Sequence, residues 1–77
     1  MTDLSRNARR ALEVLAAHQR GITEALMLAH GFTERMLTGL VQTGLAMRYR
    51  TPLRMGDRTI DATHMMITTA GRRALES

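Results

Sequence analysis

Apolar positions recur at spacings of three and four through the first half of the chain and then change period. Ala8, Ala11, Leu12, Leu15 and Ala16 share one face of a helix over about residues 5–19. Ser5 stands where a hydroxyl accepts an otherwise unpaired backbone N–H, and Gly21 follows as a left-handed stop. Ile22 then reads as a short extended connector, and Thr23 caps a second helix over about residues 24–30. Leu26 and Ala29 face inward from it, with Met27 as a third candidate. His30-Gly31-Phe32-Thr33 is a tight turn in which Thr33 caps the next helix and Phe32 is placed to staple back onto Leu37. The third helix, over about residues 34–43, points Leu37, Leu40 and Val41 inward with Met36 at the edge.

After Gly44 the pattern becomes that of a β-hairpin over about residues 45–67. A two-residue turn at Gly56-Asp57 sets Met55 opposite Arg58, Leu53 opposite Ile60, Arg50 opposite Thr63, Tyr49 opposite His64 and Arg48 opposite Met65. Arg48 and Arg50 then share one sheet face, while Met47, Tyr49, Leu53, Ile60 and Met66 lie on the other. Proline lacks a donor for the ladder, so Thr51-Pro52 is expected to mark a bend or bulge. A last short helix, about residues 69–76, follows Thr68. The fold class expected is α+β, mainly α: three helices, a two-stranded hairpin and a short C-terminal helix in one domain spanning residues 1–77.

The outward face of the third helix holds Glu34, Arg35, Thr38, Gly39, Gln42 and Thr43. It is polar and slim, as a helix entering a DNA major groove about 12 Å wide must be. Arg35 suits guanine edges, Gln42 adenine, and Thr38 or Thr43 a phosphate or a thymine methyl. An ordinary solvated helix face has the same composition. Gly39 is unusual there, since an interior glycine costs about 1 kcal/mol relative to alanine; either its backbone closely approaches something or the helix is weak.

Charge sharpens this picture. All 11 basic residues are arginine, against 7 acidic ones, for a formal net charge of +4. A positive balance on a small domain favours polyanionic partners, although arginine in place of lysine also follows from a G+C-rich genome. Arg48, Arg50, Arg54 and Arg58 fall on the hairpin, where arginines reach the sugar-phosphate backbone or minor groove, or simply solvate a loop.

Other chemistry is thin. Cysteine is absent, His18, His30 and His64 sit on different elements, and the carboxylates are scattered, so no metal site, cofactor or catalytic constellation is expected. At 77 residues the chain has little room for an enzyme pocket. With Phe32 and Tyr49 the only aromatics, a stacking platform for single strands is not expected. No apolar run reaches the roughly 18 residues of a membrane span, and Met1–Arg6 lacks a signal peptide's apolar segment, so a cytoplasmic location and no membrane partner are expected.

The order of elements, with Leu40-Val41 and Gly44-Leu45 before the hairpin and Ile67-Thr68 with Ala70-Gly71-Arg72 after it, resembles the winged helix-turn-helix domains of bacterial MarR-like and PadR-like transcription regulators. The resemblance runs from about Ala8 to Leu75, in a minimal form without the long terminal helices through which such regulators dimerise. It implies that residues 33–43 form the recognition helix and residues 50–58 the wing. Thr33, Arg35, Thr38, Gln42, Thr43, Arg48, Arg50, Arg54 and Arg58 are the DNA-contacting set expected from the residues and the resemblance together. The expected function is a small transcriptional regulator that binds double-stranded DNA as a homodimer, with no small-molecule effector. Two alternatives remain open: a winged helix that docks proteins or itself through Met47, Leu53, Ile60 and Met66, and recognition of structured RNA by the same arginines.

Overall fold

The computed structural model describes residues 5–76; the expectations that concern Met1–Leu4 and Ser77 lie outside them. The order is α1 (Arg6–Ala17), β1 (Ile22–Thr23), α2 (Glu24–Ala29), α3 (Glu34–Gln42), β2 (Ala46–Met55), β3 (Arg58–Ile67) and α4 (Thr69–Glu76). The class is α+β, with four helices and a three-stranded antiparallel sheet among the described residues. None of these helices is long and apolar enough to cross a membrane.

Hydroxyl caps open the helices. Ser5, Thr23 and Thr33 accept from Ala8, Leu26 and Met36 N–H at 3.1, 3.2 and 3.1 Å, each relieving a donor that the first helical turn leaves unpaired. At the other end of α2 and of α3 the chain uses one device twice. Gly31 and Gly44 take φ of +99° and +79°. Their N–H groups donate to Leu28 and Val41, and the next residues, Phe32 and Leu45, donate to Met27 and Leu40. These are Schellman closures, in which the residue after the glycine packs on the residue it bonds.

That closure corrects the expected face of α2. Met27 is fully buried and Phe32 nearly so, while Leu26 is 54% exposed and Ala29 is exposed too. The helix is only six residues long, and its closing bond from Phe32 selects Met27, not Leu26, as the inward side chain. α1 is also shorter than expected, ending at Ala17 with His18 as its C-cap. Ala11, Leu12 and Leu15 from α1, Met27, Phe32, Leu37, Leu40, and Ala46, Met65 and Ile67 from the sheet form one core with Ile22.

Ile22 is more than a connector. It pairs with Met65, and Thr23 with His64, so β1 adds a third strand on the free edge of β3 and the order is β1-β3-β2. The expected two-stranded sheet is therefore three-stranded at its root. The β2–β3 register matches the expected one at all five pairs named from sequence. Gly56 has φ +66° and no non-glycine residue among those described has positive φ, which makes Gly56-Asp57 a type II′ turn. Pro52, expected at a bend or bulge, instead pairs in line with Asp61. Counting from the hydrogen-bonded pair Met55–Arg58 that flanks a two-residue turn, Pro52–Asp61 is a non-hydrogen-bonded pair. Its nitrogen points to the open edge, so the ladder loses nothing.

α4 locks the two ends of the hairpin together. Thr68 Oγ1 donates to Gly44 O at 2.6 Å and accepts from Gly71 N–H at 3.1 Å, so one hydroxyl caps α4 and ties it to the end of α3. Arg9 on α1 donates to Leu75 O at 3.1 Å and holds α4 against α1.

Candidate nucleic-acid interface

α3 presents Arg35, Gly39 and Gln42 in one strip, one helical turn apart, with Thr38 beside them. Arg35 and Gln42 are exposed; Thr38 and Gly39 are half-buried. The hydroxyls of this helix are already partly engaged. Thr33 caps its start, Thr43 donates to Gly39 O at 2.9 Å and to Leu40 O at 3.2 Å, and Thr38 accepts from Arg48 Nη2 at 3.3 Å. Thr33 and Thr38 accept in these bonds and keep a hydrogen to donate; the Thr43 hydrogen is occupied. A Cβ built on Gly39 meets no atom of the chain within 4 Å. Nothing inside the molecule requires glycine there.

The hairpin divides its arginines between its faces. Side chains alternate along a strand, so Ala46, Arg48, Arg50 and Arg54 share the face that packs on the helices at its root, opposite Ile67, Met65, Thr63 and Thr59. Arg58 pairs with Met55 and falls on the other face, with Tyr49, Leu53 and Ile60. The four expected hairpin contacts thus do not form one surface. Arg50 and Arg54 are exposed on the α3 side, Arg58 is exposed on the far side, and Arg48 is turned inward.

Arg48 occupies the rim of the core. Its Nε lies 3.0 Å from Glu24 Oε2 of α2, with side-chain exposures of 30% and 16%, while its Nη2 donates to Thr38 of α3. The Nε contact is one of charge: this buried nitrogen makes no hydrogen bond of good geometry. Beside it opens a cleft of ≈ 410 Å³ lined by Glu24, Glu34, Arg48, Tyr49, Arg50 and Thr63. Two carboxylates and two guanidiniums line it. Glu34, in the first turn of α3, is also placed favourably for the helix dipole.

On the far face, Tyr49 O–H donates to Arg20 O at 3.0 Å, and its ring stacks on His64 with centroids 5.5 Å apart. The hairpin root is therefore held from both sides.

Sequence reasoning singled out neither Glu24 nor the Tyr49 bond. Ile22, Met65 and Arg48 lie in one cross-strand row, but Glu24 opens α2, and its reach to Arg48 follows from how that helix leaves the sheet, which no sequence pattern marks.

The chain matches no family model, no curated protein and no solved structure.

Proposed function

We propose that this chain is a winged helix-turn-helix module that binds double-stranded DNA, with α3 in the major groove and the β2–β3 hairpin as its wing. One observation carries the reading. The hairpin face that bears Arg50 and Arg54 is the face whose root residue, Arg48, touches α3 at Thr38, in the outward strip of Arg35, Gly39 and Gln42. The basic hairpin face therefore meets α3 at the edge of that strip, which supports reading the two as one surface. An α-helix is about 10–12 Å across with its side chains, a fit for a groove about 12 Å wide, and the outward strip of α3 is slim. Ten-residue strands span about 33 Å, enough to reach the neighbouring backbone or minor groove. The open space at Gly39 suits close approach of a phosphate or base to the helix backbone.

In this reading Arg35 and Gln42 read base edges, Thr33 donates to a phosphate, and Arg50 and Arg54 contact phosphates. Titrating a randomised pool of labelled duplexes at two salt concentrations tests it. Retention at low salt, weakening steeply as salt rises, is expected; no retention at low salt rejects the proposal.

A second reading has its own observation. Met47, Leu53, Met55 and Ile60 are 46%, 39%, 62% and 46% exposed, an apolar stripe on the face turned away from α3. Two-stranded ribbons are marginal in water unless something covers such a face. Because it lies opposite the basic face, a second copy could sit there without obstructing DNA. If it does, Leu53→Ser with Ile60→Ser lowers the solution mass from dimer to monomer; a wild-type chain that is monomeric at high concentration removes this reading.

A further inference from the structure

We infer that the Glu24–Arg48–Thr38 contact is a positioning device that sets the hairpin against α3 for binding, so that a carboxylate, Glu24, strengthens the chain's hold on a polyanion. The inference rests on the DNA-binding reading above and specifies how that site is kept in register.

The geometry favours orientation over stability. Arg48 stands between buried Ala46 and exposed Arg50 on one strand face, opposite fully buried Met65. An apolar side chain would fill this rim slot, and partly exposed ion pairs add little to folding. What a guanidinium offers, and a compact ammonium does not, is a rigid plane that spreads its charge and its donors over several nitrogens, so that neighbouring nitrogens meet two elements at once. Here the buried Nε lies 3.0 Å from the Glu24 carboxylate of α2, a contact of charge, while the neighbouring Nη2 donates to Thr38 of α3 at 3.3 Å. The far face of the root is fixed to the turn before β1 by Tyr49 and Arg20. On the α3 side the Thr68–Gly44 bond fixes the first residues of the hairpin, and Arg48 adds the side-chain constraint that lies further along β2.

Leverage makes that constraint matter. From Arg48 to Met55 the strand runs about 23 Å, so a swing of roughly 10° at the root displaces the tip by about 4 Å. Such a shift exceeds the length of a hydrogen bond, and the arginines of the hairpin would miss the phosphates that α3's docking presents to them. The basic residues then cease to act as one surface.

Charge and positioning predict opposite signs for one substitution, and Glu34 provides the matched control. Glu24 and Glu34 border the same cleft, and each loses one negative charge on replacement by glutamine. By charge alone, Glu24→Gln and Glu34→Gln both bind DNA more tightly. By positioning, Glu34→Gln binds as tightly as wild type or tighter, whereas Glu24→Gln binds roughly tenfold more weakly. Its plot of log affinity against log salt also becomes shallower, because hairpin–phosphate contacts are lost.

The probe is the tightest duplex recovered from a randomised pool, titrated by fluorescence anisotropy against the full chain, with thermal melts confirming that each variant is folded. Arg48→Lys is the second variant. It keeps the charge but not the rigid plane, and it is expected to weaken binding in the same way even if Glu24→Gln proves unstable. Wild-type affinity or better in a folded Glu24→Gln or Arg48→Lys chain, with an unchanged salt slope, overturns the inference alone. A wild-type chain that binds no duplex at low salt overturns the DNA reading and this inference with it.

Discussion

At the scale of single residues, close approach decides more than chemistry does. Gly71 is buried where α4 meets the root of the hairpin. A Cβ there would run into Leu45 O and lie 2.7 Å from Ile67 Cγ1, both part of the framework that Thr68 ties together. Gly71→Ala is therefore expected to destabilise the chain by about 2 kcal/mol or more, since overpacking a backbone contact forces an element to move. Equilibrium urea unfolding would measure it, and a loss under about 0.5 kcal/mol would show that α4 can shift at no cost. A tolerance of that kind would loosen the whole junction from Gly44 to Thr68. Arg48 shows the complementary case, in which a charged residue at the core rim is fixed by partners on two elements.

The elements show which parts of the sequence speak plainly. Ser5, Thr23 and Thr33 cap the helices they precede, and the hairpin register follows from Gly56-Asp57, because these are local rules acting over a few residues. Ile22–Thr23 escaped notice as a strand because two residues carry no period; only the edge of β3 makes them one. The inward face of α2 was equally hidden, since six residues allow several helical stripes and the Phe32 closure chooses among them. That choice is testable. Met27→Ala should cost about 2–5 kcal/mol as a cavity in the core, while Leu26→Ala, at a 54% exposed site, should change stability by less than about 0.5 kcal/mol. Similar losses for the two would contradict the assignment of α2. The candidate interface was half legible in the same sense. Arg35, Gln42, Arg50 and Arg54 could be placed from helical and strand periods, but the division of Arg54 from Arg58 becomes decisive only once one face is seen packed on α3. The capture of Arg48 by Glu24 depends on how α2 crosses the sheet, which no local pattern encodes.

As a whole molecule the chain is long for its size. It measures 48 × 22 × 20 Å, and its radius of gyration of 13.0 Å exceeds the about 11.5 Å of a compact chain of this length. The excess is the hairpin, whose residues 52–61 are all exposed. An arm of this kind, with Arg50 and Arg54 on one face and a mostly apolar face that also carries Arg58 on the other, is suited to partners, and the proposed division assigns DNA to the first face and leaves the second for a copy of the chain. The central claim is that α3 and the basic hairpin face act as one DNA-binding surface. It is tested most directly by comparing two charge-matched double variants on the same duplex: Arg35→Ala with Arg54→Ala on that surface, and Arg6→Ala with Arg72→Ala on α1 and α4. The first pair should weaken binding at least about tenfold and lower the salt slope by about one to two, whereas the second should change affinity by less than about threefold. Equal losses from both pairs would show that net charge alone attracts the DNA and would contradict the account.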